Sequence, residues 1–128
     1  LHDALPILER IGDHAENIAD FAREKVDKNL NFSEDAINEI RNLAKLCIEC
    51  IDNSLACFAD YNKDGAAEVR KLEDKIDASE KALRNSHIRR LNSGICNATV
   101  GTMFLDLISN LERVGDHAMN IAEILAEN

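Results

Sequence analysis

The chain has 128 residues, 45% of them apolar and only 4% aromatic, with no Trp; this is enough for one domain with an aliphatic core. Its 24 acids against 15 bases leave a net charge of −9, which argues against nucleic acid and anionic membrane as partners. One Pro and five Gly supply too few turns for an all-β fold, the apolar content is too high for disorder, and no run approaches the ~20 apolar residues of a membrane span.

Residues 1–7 (LHDALPI) hold the only Pro and resemble the translation of a sequencing-adapter end. We read them as a non-native segment joined to a truncated frame, since neither a start Met nor a signal peptide precedes the helical pattern. A first helix is expected over 8–28, closed by a turn at Asn29-Leu30-Asn31. Ser33 is a good N-cap for a second helix running to about Tyr61, with Glu34 and Asp35 suited to its positive end and Phe32 placed to staple onto Ile37. Asn62-Lys63-Asp64-Gly65 breaks that helix, and Asp64 is placed to cap a third, to about Leu91, in which Val69, Leu72, Ile76 and Leu83 keep heptad phase while Ser79 interrupts it. Asn92-Ser93-Gly94 ends the third helix and Asn97 caps the fourth. There Val100, Phe104, Leu107, Leu111, Val114, Ala118, Ile121 and Leu125 alternate steps of four and three, the seam of a packed helix. Short connections between long amphipathic helices predict an all-α, antiparallel three-helix bundle over 33–127, preceded by the last part of a helix from a truncated first unit.

The strongest signal is an internal repeat. LERIGDHAENIA at 8–19 and LERVGDHAMNIA at 111–122 agree at ten of twelve positions, at an offset of 103 residues. Such fixed-offset similarity marks a duplicated structural unit. Gly12 and Gly115 fall mid-helix at matching positions, where Gly costs about 1 kcal/mol relative to Ala, so close approach of another helix is expected at both.

Both copies carry acids and an amide at a spacing of four: Glu9, Asp13 and Asn17, then Glu112, Asp116 and Asn120. With Leu111 as zero, Glu112 lies roughly 100° away, Asp116 roughly 140° and Asn120 roughly 180°. Each trio therefore leaves the core seam and faces outward or towards a neighbouring helix. Carboxylates with an amide oxygen suit a hard or borderline cation such as Mg²⁺, Mn²⁺ or Fe. The other reading is a solvated polar face, with Arg10 and Arg113 supplying local pairs. His14 and His117 each follow the Asp by one residue, roughly 100° round the helix, and are not natural co-ligands. No Glu-x-x-His pair, Gly-rich phosphate loop or nucleophile elbow is present, so no enzyme is expected. Cys47, Cys50, Cys57 and Cys96 lack a tight zinc pattern and read as reduced thiols. His87, near Arg89 and Arg90, reads as a surface histidine, with a phosphate or partner contact as the alternative.

The two LER-x-GDHA-x-NIA segments resemble the signature of the PhoU family. The resemblance implies duplicated three-helix bundles with a Glu-x-x-x-Asp motif on the last helix of each. It also implies surface clusters of iron, zinc or other divalent ions, none needed for the fold. By match, Glu9, Asp13, Glu112 and Asp116 are the candidate metal ligands, with Asn17 and Asn120 beside them. HIRRLNSGIC at 87–96 and FLDLISNLER at 104–113 are similar to the C-terminal region of bacterial sodium/phosphate cotransporters. That implies a regulatory domain on the cytoplasmic side of the plasma membrane, controlling phosphate uptake through contacts with the missing membrane domain. A free-standing PhoU-type regulator, contacting phosphate transport and sensor proteins, is the alternative. Under either reading this fragment is soluble and no nucleic acid is expected. The orphaned first helix allows a homo-oligomer.

Overall fold

The structure is a computed structural model and describes residues 4–60, 64–94 and 97–127. Among the described residues there are four α-helices in chain order: α1 (Ala4–Asp27), α2 (Glu34–Asp60), α3 (Gly65–Asn92) and α4 (Ala98–Glu127). Helices α2 and α3 pack on each other and each packs on α4, making the expected antiparallel bundle, while α1 lies along another face of α4. The fold is all-α. Asn62, Lys63, Cys96 and residues 1–3 lie outside the described residues, as does the side chain of the last seam position, Leu125.

The local chemistry sets most of the boundaries. Ser33 Oγ accepts a hydrogen bond from Ala36 N at 3.1 Å, and Asn97 Oδ1 accepts from Val100 N at 2.8 Å, so α2 and α4 begin on side-chain caps. Asp64 stands at the start of α3 but makes no side-chain cap bond; only its carbonyl is used, by Ala67 N at 3.3 Å. Helix α1 closes with Leu30 N donating to Lys25 O and Asn29 N to Val26 O, Asn29 adopting the left-handed conformation that such an ending needs (φ 50°). Gly94, at φ 76°, ends α3 in the same way. At the N-terminus the helix begins at Ala4, where the sequence pattern placed its start at Leu8. Pro6 falls in the first turn, whose amide hydrogens have no helical acceptor, and Ala4 and Ile7 are buried.

Helix α4 is the centre of the molecule. Its seam residues Val100, Phe104, Leu107, Leu111, Val114, Ala118 and Ile121 are all buried, as expected. So are Met103, Ile108 and Met119 on other faces, because α4 is covered from three sides. Helix α2 approaches it along small residues: Cys47 Sγ donates to Leu111 O, Ser54 Oγ to Ala118 O at 2.8 Å, and Cys50 lies between them, fully buried. The Cys-x-x-Cys spacing is therefore a close-packing face. Burial, then the charges of Cys50 and Glu112, pushes the Cys47 thiol up to about 12; burial, then Glu73 and Asp116, pushes Cys50 up to about 11.

Helices α1 and α4 run antiparallel, and the two repeat copies meet in the middle. His14 stacks on its repeat equivalent His117, ring centroids 5.3 Å apart and 23° from parallel. A local two-fold relation thus passes between the two rings. Asn110, buried beside them, accepts from His14 Nδ1 at 2.9 Å and from Asn17 Nδ2 at 3.2 Å. The two mid-helix glycines differ. A Cβ on Gly115 would lie 2.9 Å from Ile76 Cδ1, the expected close approach, whereas Gly12 has nothing within 4 Å. The face that α4 turns to α3 corresponds on α1 to an open face, on which no described residue packs.

His87 also departs from the sequence reading. It is 2% exposed and stacks on Phe104 with centroids 4.3 Å apart, so it belongs to the interior and not to the surface. Burial, and then the nearby Arg90 charge, lowers its pKa; Glu39 and a backbone hydrogen bond to Gly101 oppose this. His87 lies 18 residues, five turns of an α-helix, after buried Val69 and so on the same face of α3, whereas the strict heptad phase steps to Ser86.

Candidate metal centre

The acidic stripe of α4 meets a second one on α3. Glu73, Asp77 and Asp116 bring carboxylate oxygens within 4.8 Å of one another. Glu112 completes the group, in hydrogen-bond reach of Asp116 and Asp77. Helical spacing aligns the four: Glu73 and Asp77 are one turn apart on α3, and Glu112 and Asp116 one turn apart on α4. The packing of Ile76 against Gly115 holds the two helices close enough for the stripes to face each other. The inner wall is the bundle core. The outer side opens into a groove of about 360 Å³ lined by Arg70, Glu73, Asp116, Asn120 and Glu123.

Four carboxylates at this distance cannot all be ionised without an added positive charge. Burial, then hydrogen bonds donated to Asp116 and Asp77 and charge repulsion by them, pushes Glu73 up to about 8. Glu112 is pushed up to about 8 for the same reasons, burial first and then Asp116. A proton held between the carboxylates is one way to satisfy them, and a cation is the other. Three observations fit a cation. Asp77 Oδ1 is buried and has no hydrogen-bond partner. No described ion pair involves any of the four acids, although basic residues pair nearby: Arg84 with Glu80, and Arg70 with Glu123 at 3.0 Å. The donor set is all oxygen, which suits Mg²⁺ or Mn²⁺ and accommodates iron or zinc.

The six residues read from the sequence thus fall in different places. Glu112 and Asp116 are half-buried in this cluster. Asn120 is exposed on the rim of its groove. Glu9, Asp13 and Asn17 are exposed on α1, away from it, and Asn17 is engaged with Asn110. Glu73 and Asp77 were missed. Their signal was present, since Glu73-x-x-x-Asp77 has the spacing of the α4 motif, but α3 has no repeat copy in the chain to draw attention to it. His117 lies at the edge of the site. Burial, and then His14 and Arg10, lowers its pKa, while Asp116 pulls the other way.

Fold and site together define an antiparallel helical bundle with a carboxylate cluster held between its last two helices. The family model of the PhoU domain matches residues 40–125. The chain belongs to the PhoU domain family. It is 34% identical over 118 residues to the phosphate-specific transport system accessory protein PhoU homolog of Clostridium acetobutylicum, covering 91% of this chain and 52% of that protein. A protein of the same name from Xylella fastidiosa is 32% identical over 116 residues, 91% of this chain and 48% of the relative. PhoU homolog 1 of Thermotoga maritima is 29% identical over 116 residues, 91% of this chain and 49% of the relative. The chain spans about half the length of these curated relatives. No solved structure matches it. Among the described residues no helix is long and apolar enough to cross a membrane.

Proposed function

We propose that this chain is part of a PhoU-type accessory regulator of phosphate transport, and that it works by protein contacts controlled through cation loading of the cluster at Glu73, Asp77, Glu112 and Asp116. The observation that carries the phosphate role is the family match, with relatives named as accessory proteins of phosphate-specific transport. The observation that carries the cation is the four-carboxylate cluster with its orphaned Asp77 Oδ1. The role is regulatory and not catalytic: a bound ion neutralises the negative groove between α3 and α4 and changes which partner surface docks there. Its partners are transport and sensor components on the cytoplasmic face of the membrane.

A second reading makes the chain the regulatory domain of a sodium-dependent phosphate cotransporter, and it rests on the similarity of residues 87–96 and 104–113. The named relatives favour the accessory protein. Gene sequence upstream of Leu8 separates the two, with hydrophobic spans for the cotransporter and two further soluble helices for the accessory protein. In that second case Glu9 and Asp13, on the open face of α1, are half of an equivalent cluster.

The test has two parts. Deleting the gene is expected to derepress phosphate uptake in phosphate-replete cells; unchanged uptake sinks the regulatory role. Protein purified without chelator is expected to carry Mn, Fe or Zn by elemental analysis. Asp77→Asn with Asp116→Asn should remove it, and unchanged metal content means these acids are not ligands.

A further inference from the structure

Helices α2 and α4 begin at the same end of the bundle, and α3 ends there. One cluster joins the three at that end: His87 and Arg90 of α3, Glu39 of α2, and Gly101 and Phe104 of α4. The buried His87 ring stacks on Phe104 and hydrogen-bonds to the Gly101 backbone. Gly101 N is already given to Asn97 O at 2.9 Å, so the imidazole is the donor and the Gly101 carbonyl the acceptor. Only a glycine allows this approach, since a Cβ on Gly101 would lie 3.1 Å from His87 Nε2 and 2.6 Å from Leu91 Cδ2. The site suits a neutral imidazole and opposes an imidazolium. A charge on the ring would be buried. Arg90, one turn on, already sets a guanidinium over the same Phe104 ring, 5.6 Å from its centroid. Glu39 faces the cluster from α2, but Arg90 holds it at 2.9 Å, so it offsets one positive charge and not two. From α4 come only the Phe104 ring, the Gly101 backbone and the positive end of a helix whose first turn carries no acid. Helix α1 does not pack on α3.

We propose that His87 is an acid-sensitive latch: on taking up a proton it releases Phe104 and Gly101, and the end of the bundle where α2 and α4 begin opens while the middle stays packed. The middle is held by other contacts, Cys47 Sγ on Leu111 O, Ser54 Oγ on Ala118 O and Ile76 on Gly115, none of which gains a charge in acid. Burial, and then Arg90, lowers the His87 pKa from 6.5, so the open end takes the proton more readily than the closed one. The latch is therefore fully closed above pH 6.5, and each unit below that multiplies the open population by up to about tenfold until the closed form titrates as well. The inference does not depend on the acidic cluster.

Amide hydrogen exchange of the chelator-treated 128-residue chain, read by NMR and corrected for the pH dependence of the exchange chemistry, tests this. Amides of residues 36–40 and 100–104 are expected to lose protection about tenfold between pH 7 and pH 5, while those of 47–54 keep theirs. His87→Gln keeps a donor for the Gly101 carbonyl but does not titrate, and it should abolish the loss. Arg90→Gln removes the competing cation and leaves Glu39 free to favour the charged ring, so it should cut the loss to less than about threefold. In the unaltered chain the ring signals of His87 should titrate with a midpoint below 6.5. A midpoint at or above 6.5, a loss that residues 47–54 share, or an equal loss in a folded His87→Gln protein overturns the latch.

Discussion

Gly12 and Gly115 are the same residue in two copies of one motif, and they are under different constraints. Ile76 of α3 rests on Gly115, so a methyl group there must push an aliphatic side chain out of a packed core. Gly12 faces open space and carries only the entropy cost of Gly in a helix. Gly115→Ala is therefore expected to destabilise the chain by about 1–3 kcal/mol. Gly12→Ala should be neutral or stabilising by up to about 1 kcal/mol. Urea denaturation of the two variants checks this, and equal effects would mean that the two faces are equally covered. The acids divide in the same way. Glu112 and Asp116 were legible because the repeat singled them out, and Glu73 and Asp77 were not, because only the approach of α3 to α4 gives their spacing a partner.

Among the helices, the caps separate a residue type from the bond it makes. Asn97 and Asp64 both have the chemistry of an N-cap, but only Asn97 uses its side chain. Asn97→Ala is expected to cost about 1 kcal/mol, and Asp64→Ala only a few tenths, measured by thermal or chemical denaturation. Helix phase was legible almost throughout: the α4 seam, the Ser33 start and the left-handed endings at Asn29 and Gly94 all follow from local rules. His87 was misplaced because the heptad phase steps past it to Ser86, while the 3.6-residue period of a straight helix returns it to the face of Val69. The start of α1 was placed at Leu8 because residues 1–7 were read as a non-native segment; the helix begins at Ala4, and Pro6 in its first turn has no hydrogen bond to lose.

The whole molecule titrates as its acidic cluster dictates. Glu73 and Glu112 are raised in the folded chain from 4.5 to about 8, so the native state holds protons that the unfolded state has released. That contribution to stability is complete below about pH 4.5 and is lost as pH rises through 8. His87 and His117, both lowered from 6.5, act with the opposite sign below that value. Between pH 6.5 and 8 only the glutamates of these four groups contribute, and the melting temperature of chelator-treated protein should fall. Added Mn²⁺ should abolish the fall, because a bound cation replaces the shared protons and releases them. A melting temperature flat across this window, or unaffected by the metal, contradicts the cation reading of the cluster.

The sequence by itself determined the helices, their core faces and the duplication, because helical period, capping chemistry and repetition are properties of neighbouring residues. It also supplied the α4 half of the acidic site. Only the tertiary structure decided that α3 provides the other half, that one glycine of the pair is covered and the other open, and that His14 meets His117 on a local two-fold. Each of these depends on which helices lie side by side, a relation between residues far apart in the chain, which local spacing does not encode.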